Sequence, residues 1–185
     1  MKVRLFLIAC FFTMGTGVLS GQPRLMTETG KISFKSDAPL ELIEAASNEL
    51  KGVIDPGRNG FAFSVNIQSF QGFNSPLQRE HFNENYMESK KFPRATFSGK
   101  FIEDVDFTKD GTYQVRAKGK LNVHGIEKER IIKGAVKVEG GKVTLTAAFT
   151  VLLEEHGIAI PKIVYQKIAE EISVELVATL TVQEG

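Results

Sequence analysis

The sequence predicts an all-β protein of about eight antiparallel strands, each with one apolar and one polar face. Three observations indicate this fold class: apolar residues that alternate with polar ones in several long segments, turn residues between those segments, and only one strong helix signal. Successive side chains of a strand point to opposite sides of the sheet. An antiparallel sheet commonly buries one side and exposes the other.

The N-terminal segment predicts export. Two cations, Lys2 and Arg4, precede a short apolar run, and small residues follow as far as Gly21. This order is typical of a secretory signal peptide, so we expect residues 1–21 to be removed and residues 22–185 to form one domain. The expected location is the bacterial periplasm or the extracellular space. No later segment is apolar for long enough to span a membrane, so we expect no integral membrane segment in the mature chain.

The same segment contains an alternative signal. Residues 7–10 (Leu-Ile-Ala-Cys) resemble a lipobox, in which Cys10 would carry a lipid anchor. Only about five apolar residues would precede the cleavage point, fewer than the roughly 7–15 of a usual signal peptide, which argues against lipoprotein anchoring. Cys10 is the only cysteine, so the mature chain is expected to have no disulfide.

The charge of the mature chain is close to neutral. Removal of residues 1–21 takes away two cations and no acid, and the formal net charge falls from +1 to about −1. A chain with so little net charge gives no electrostatic reason to expect a nucleic-acid partner.

Three strands are predicted before residue 70. Residues 61–67 show the clearest pattern, because the four odd positions are apolar and the even ones are small or polar. Residues 31–35 alternate in the same way over a shorter length. Residues 42–54 are longer, but charged and amide side chains interrupt their pattern. The turn-forming sequence 55–60 separates the last two strands.

One short helix is predicted after the third or fourth strand. Ser75 is a favourable N-cap, Pro76 occupies the first helical position, and Gln78 completes a capping box. Phe82 and Tyr86 are one helical turn apart. The helix must end before Pro93.

The remaining strands are predicted in the second half of the chain, in residues 94–101, 113–123, 132–138, 143–153 and 172–182. Glycine-containing turns at residues 109–111, 124–125 and 140–141 predict hairpins, and therefore antiparallel neighbours. Residues 157–166 contain Pro161 and several apolar residues, which predict a short helix or a lid before the last strand.

Periodicity does not distinguish between the two common arrangements of eight such strands, a sandwich and a closed barrel. A closed barrel of eight strands is large enough to hold one small ligand. The phenylalanines on the apolar faces are compatible with a filled core and also with the wall of a ligand tunnel.

The sequence predicts no catalytic centre, no metal site and no cofactor. His81, His124 and His156 do not have the spacing of metal ligands. Sequence motifs of serine hydrolases, zinc proteases and phosphate-binding loops are absent. We therefore do not expect an enzyme; the enzymatic alternative would use His81 or Glu80 for proton transfer.

Two segments resemble the signatures of the YceI-like family. Residues 79–97 contain a charged helix with a histidine, followed by Phe92-Pro93-Arg94-Ala95-Thr96-Phe97. Residues 119–128, Gly-Lys-Leu-Asn-Val-His-Gly-Ile-Glu-Lys, resemble the family's hairpin. The resemblance covers essentially the whole mature chain. Residues 157–166 are more apolar than the corresponding family loop, and the N-terminal strand lacks the usual tryptophan.

This resemblance implies an eight-stranded antiparallel lipocalin-like barrel, often dimeric, whose apolar interior can hold an isoprenoid tail. We therefore expect an exported carrier or scavenger of an apolar small molecule, an isoprenoid or another lipid, and a homodimer is compatible with this. The alternative is a structural or stress-related envelope module with a packed core and no ligand. The residues expected to contact the ligand are apolar and on inward-facing positions: Phe34, Phe61, Phe63, Val65, Ile67, Phe97, Phe101, Tyr113, Leu121, Phe149, Leu176 and Leu180.

Overall fold

A computed structural model describes residues 23–182, and the predicted signal peptide and Cys10 lie outside the described residues. Eight antiparallel strands follow one another around a closed barrel, and β1 pairs with β8 to close it. This pairing confirms the predicted barrel and excludes the sandwich. The strands are β1 (Leu25–Asp37), β2 (Leu42–Asp55), β3 (Gly60–Asn66), β4 (Arg94–Phe101), β5 (Gly111–Val123), β6 (Ile126–Glu139), β7 (Lys142–Leu152) and β8 (Glu171–Val182).

The first strand is longer than predicted. β1 begins at Leu25, whereas the alternating pattern begins only near Lys31. Between Thr27 and Ile32 the pairing of β1 with β2 contains two register shifts. Such irregularities change which side chains face inward, and they explain why the first half of β1 lacks alternation and why the pattern of β2 is mixed.

The predicted helix lies after the third strand. Helix α1 (Pro76–His81) continues into a π-helical turn at Phe82–Tyr86. Ser75 caps the helix as predicted, because its Oγ accepts a hydrogen bond from the Gln78 backbone N–H at 3.1 Å. The Gln78 side chain accepts from the backbone N–H of Asn74 at 3.0 Å, one residue before the expected partner. In the described part of the chain, no helix has the length and apolar character needed to cross a membrane.

The barrel has two unlike ends. The helix end carries the connections 38–41, 67–93, 124–125 and 153–170, and α1 lies in the second of these. The turn end carries residues 56–59, 102–110 and 140–141. The two ends therefore differ greatly in the amount of chain available to cover the interior.

The turn end is closed by side-chain packing. Leu180 is fully buried there, and Phe107 of the connection 102–110 packs against the same core. The Asn59 side-chain amide donates hydrogen bonds to the carbonyl oxygens of Phe101 and Glu103, each at 3.0 Å. These bonds hold the connection over the end of the barrel.

Strands β4 and β5 approach each other closely at Gly99 and Gly119, which are paired directly. A Cβ atom on Gly119 would collide with the backbone of Ser98, and one on Gly99 with the backbone of Lys118. Only glycine permits this approach.

Candidate ligand-binding cavity

The interior of the barrel contains an apolar cavity with two compartments. The outer chamber has a volume of ≈ 500 Å³ and is bordered by α1 and by the connection 153–170 at the helix end. The deep lobe has a volume of ≈ 80 Å³ and lies further inside the barrel. Five residues line both compartments and lie between them: Ile32, Val65, Ala95, Leu121 and Phe149. The two compartments therefore adjoin each other.

Aromatic side chains of β3 and β4 form one wall of the deep lobe. Phe61 lies 5.0 Å from Phe97 and 5.1 Å from Phe101, measured between ring centroids. Phe63 is paired directly with Phe97 across the two strands. Period-two alternation places all four rings on the inner face, and they give the lobe an apolar lining.

A second aromatic cluster lines the outer chamber. The ring of Phe34, on β1, stacks on Phe82 with a centroid distance of 5.3 Å. Phe73 lies 5.0 Å from Phe82, and Phe70 lies 5.4 Å from Phe34. The wall thus combines one strand residue with three residues from the connection 67–93.

Polar side chains border the outer chamber where it meets the helix end. The Gln78 amide donates a hydrogen bond to Glu41 Oε1 at 2.8 Å, and the Asn74 amide donates to the carbonyl of Leu42 at 2.9 Å. The first bond fastens α1 to the connection between β1 and β2, and the second joins the residues before the helix to the start of β2. Burial raises the pKa of the Tyr86 phenol on the same chamber wall, so this hydroxyl stays protonated at neutral pH.

Two histidines hold the helix end together outside the cavity lining. The Nε2 atom of His124 lies 2.8 Å from Glu88 Oε2, and its Nδ1 atom lies 3.0 Å from the carbonyl oxygen of His156. His156 is fully buried, and its Nδ1 atom lies 3.1 Å from the carbonyl oxygen of Ile126. Burial lowers the pKa of His156. His124 and His156 therefore join three connections of this end.

The cavity has the chemistry of a binding site. Glu41, His81, Tyr86 and Lys167 are the ionisable residues that line the outer chamber. Within residues 23–182, no hydrogen bond or ion pair joins any two of these four, and no cluster of His, Cys, Asp and Glu is arranged to hold a metal ion. An apolar molecule is the ligand class that this lining favours.

Ten of the twelve residues expected to contact a ligand line the cavity. Tyr113 and Leu180 line neither compartment. Both belong to the packed turn end, where the Tyr113 hydroxyl donates a hydrogen bond to the Lys109 carbonyl at 3.2 Å. Alternation correctly predicted that they point inward, but it contains no information on their height along the barrel axis.

Sequence reasoning missed part of the outer chamber. Phe70 and Phe73 belong to an irregular connection without periodicity, and the sequence places Phe82 on a helix without indicating that it lines a cavity. Ile158 and Val164 also line this chamber. They belong to the segment that the sequence predicts to form a short helix or a lid before the last strand, and its high apolar content was the available signal.

Comparisons with known proteins agree with this architecture. The family model described as YceI-like domain matches residues 14–180. The structure is similar to that of a polyisoprenoid binding domain from Saccharophagus degradans, which is implicated in plant cell wall breakdown. The TM-score is 0.73 and the sequence identity is 12%, and the match covers 87% of this chain and 99% of that domain. No curated protein matches the sequence.

Two further solved structures are similar. Burkholderia cenocepacia BcnA has a TM-score of 0.66 and 16% identity, covering 83% of this chain and 96% of that one. The Campylobacter jejuni YCEI protein has a TM-score of 0.54 and 14% identity over 100% of both chains. At these identities the likeness shows a common fold.

Proposed function

The chain belongs to the YceI-like domain family, and on that premise we propose that it is an exported carrier or scavenger that holds an isoprenoid or another lipid inside the barrel. The observation that carries this proposal is the pair of adjoining apolar compartments, which extend from the helix end into the barrel. The ionisable residues of the lining are all at one end, in the outer chamber. An elongated apolar molecule with a small polar group fits this distribution.

The size of the cavity is adequate for such a ligand. The outer chamber, at ≈ 500 Å³, lies within the range of about 300–1,000 Å³ of small-molecule sites. A ligand that buries about 300 Å² of apolar surface gains roughly 7 kcal/mol before the costs of ordering are subtracted. Burial of apolar surface can therefore supply the binding free energy without a charged contact between protein and ligand.

The cavity favours a carrier over the alternative of a packed envelope module. A module that acts only through its surface has no need of two adjoining apolar compartments, because an empty apolar volume costs stability. The polyisoprenoid binding domain from Saccharophagus degradans shares the fold, which supports an isoprenoid as the ligand class. We also propose that the protein binds without catalysis.

The test is to purify the protein from its native host under mild conditions and analyse an organic extract by mass spectrometry. We expect about one lipid per protein. Added farnesol or geranylgeraniol, at about one hundred times its Kd, stabilises the folded state by about 2.7 kcal/mol, which raises the Tm by roughly 5–10 °C. Absence of a stoichiometric lipid together with an unchanged Tm would refute the proposal.

A further inference from the structure

Exposed apolar side chains collect around the opening of the outer chamber. We name five of these residues the apolar lip: Leu40, Leu42, Leu77, Ile163 and Tyr165. All are exposed, and Ile163 is 93% exposed. Solvent-exposed apolar groups are common singly, but a contiguous group marks a surface that binds a partner or a membrane.

Hydrogen bonds show that the three segments of the lip adjoin. The Leu40 backbone N–H donates to the carbonyl of Gln166 at 2.9 Å, which joins the first connection to the segment of Ile163 and Tyr165. On its other side, Glu41 of the same connection is bonded to Gln78 of α1. Leu77 also lines the outer chamber, so the lip borders the opening itself.

The segment of the lip that carries Ile163 and Tyr165 is positively charged. Between Ile158 and Ala169 the only charged residues are Lys162 and Lys167, one on either side of Ile163 and Tyr165. Within residues 23–182, neither lysine forms an ion pair with a carboxylate. Exposed isoleucine and tyrosine flanked by lysines suit the boundary between acyl chains and anionic headgroups.

We propose that the apolar lip docks the protein onto an anionic lipid bilayer, with the opening of the cavity facing the membrane. This goes beyond the proposed function, because it identifies the surface through which the cavity meets a lipid phase. A second copy of the chain is a poorer occupant. In a two-fold symmetric dimer the same patch would meet itself, and the lysines of both copies would approach each other.

The expected effects are large enough to measure. Ile163→Ser removes most of an apolar side chain from the bilayer boundary, and we expect vesicle binding to weaken about tenfold or more. Lys162→Gln removes one charge, which is expected to weaken binding about fivefold to anionic vesicles and to leave binding to neutral vesicles unchanged. The matched control is Ile131→Ser, because Ile131 is 56% exposed on β6 and lies outside the lip.

The experiment is flotation of the full chain with vesicles of phosphatidylcholine, alone or mixed with phosphatidylglycerol. All variants share the same N-terminal residues, so differences between them report on the lip. We expect Ile163→Ser to lose binding while Ile131→Ser retains it. Equal binding of these two variants, or no binding of the unsubstituted chain, would overturn the proposal. Conversion of a dimer to a monomer by Ile163→Ser in sedimentation velocity would overturn it in favour of a second copy.

Discussion

Filling the deep lobe should shorten the ligand that the barrel accepts. Ala147 on β7 lines this lobe, whereas its neighbour Ala148 is exposed on the outer face. Ala147→Leu adds three carbon atoms. These atoms extend into a lobe of only ≈ 80 Å³, so we expect the substitution to occupy most of the lobe and to leave the outer chamber open.

The magnitude follows from the lost burial. A tail that reaches the lobe would lose contacts for about three methylene groups at roughly 0.8 kcal/mol each. The total is about 2.4 kcal/mol, which weakens Kd about 60-fold. A tail that ends in the outer chamber loses nothing. Ala147→Leu should therefore weaken the binding of long ligands and leave the binding of short ligands unchanged. This result is more specific than an equal loss of affinity for all ligands.

The assay is a titration of the protein with geraniol, farnesol and geranylgeraniol by calorimetry or competitive fluorescence. We expect Ala147→Leu to weaken the longest ligand most, and Ala148→Leu to match the unsubstituted protein with all three. Thermal unfolding should show that Ala147→Leu does not lower the Tm, because it fills an apolar void. Equal weakening at every length, or undiminished affinity for the longest ligand, would refute the assignment of the deep lobe to the tail.

Three further predictions concern stability and ligand exchange. Gly119→Ala forces a Cβ against the backbone of Ser98 and should lower the free energy of unfolding by about 3 kcal/mol in chemical denaturation. Burial lowers the pKa of His156 in the folded state. The free energy of unfolding therefore keeps its full value above pH 6.5, the ordinary pKa of histidine, and falls as the pH drops below it. His156→Asn should remove this fall, measured by chemical denaturation between pH 7.5 and 5. Gln78→Ala removes the hydrogen bond to Glu41 and should speed ligand dissociation about fivefold in stopped-flow measurements.

Each of these predictions has a matched control. Gly111→Ala, also on β5, adds a Cβ at an ordinary contact distance of 3.7 Å from the Tyr113 ring, and it should unfold like the unsubstituted protein. His81→Asn changes an exposed histidine and should keep the pH dependence. Gln114→Ala changes an exposed glutamine on the barrel wall and should leave dissociation unchanged. A substitution that behaves like its control would contradict the corresponding reasoning.

The wall of the barrel was predictable because its side chains obey a local rule. Residues 113–123 alternate almost without exception, and they form most of β5. The same rule identified Phe61 and Phe97 as inward-facing. Alternation could not show whether the sheet closes into a barrel. Closure depends on the pairing of β1 with β8, and these two strands are far apart in the sequence.

The ends of the barrel were less predictable because they depend on contacts between irregular connections. Phe70 and Phe73 have no periodic pattern, and their places on the chamber wall depend on the stacking of Phe82 and Phe34. Leu180 faces inward but lines neither compartment, for a related reason. An inward-facing residue near the turn end packs in the core and does not line the cavity, because the connection 102–110 fills that end of the barrel. Alternation within one strand contains no information on this connection.

The closed turn end has a consequence for transfer. Phe107 and its neighbours pack one end of the barrel, and neither cavity compartment takes a lining residue from 102–110. In the proposed carrier, a ligand must therefore arrive and leave through the same opening. A barrel with one opening cannot exchange its ligand with a donor and an acceptor at the same time. A carrier that delivers its ligand in this way must leave the donor before it reaches the acceptor, so the rate of transfer should rise with the concentration of loaded protein.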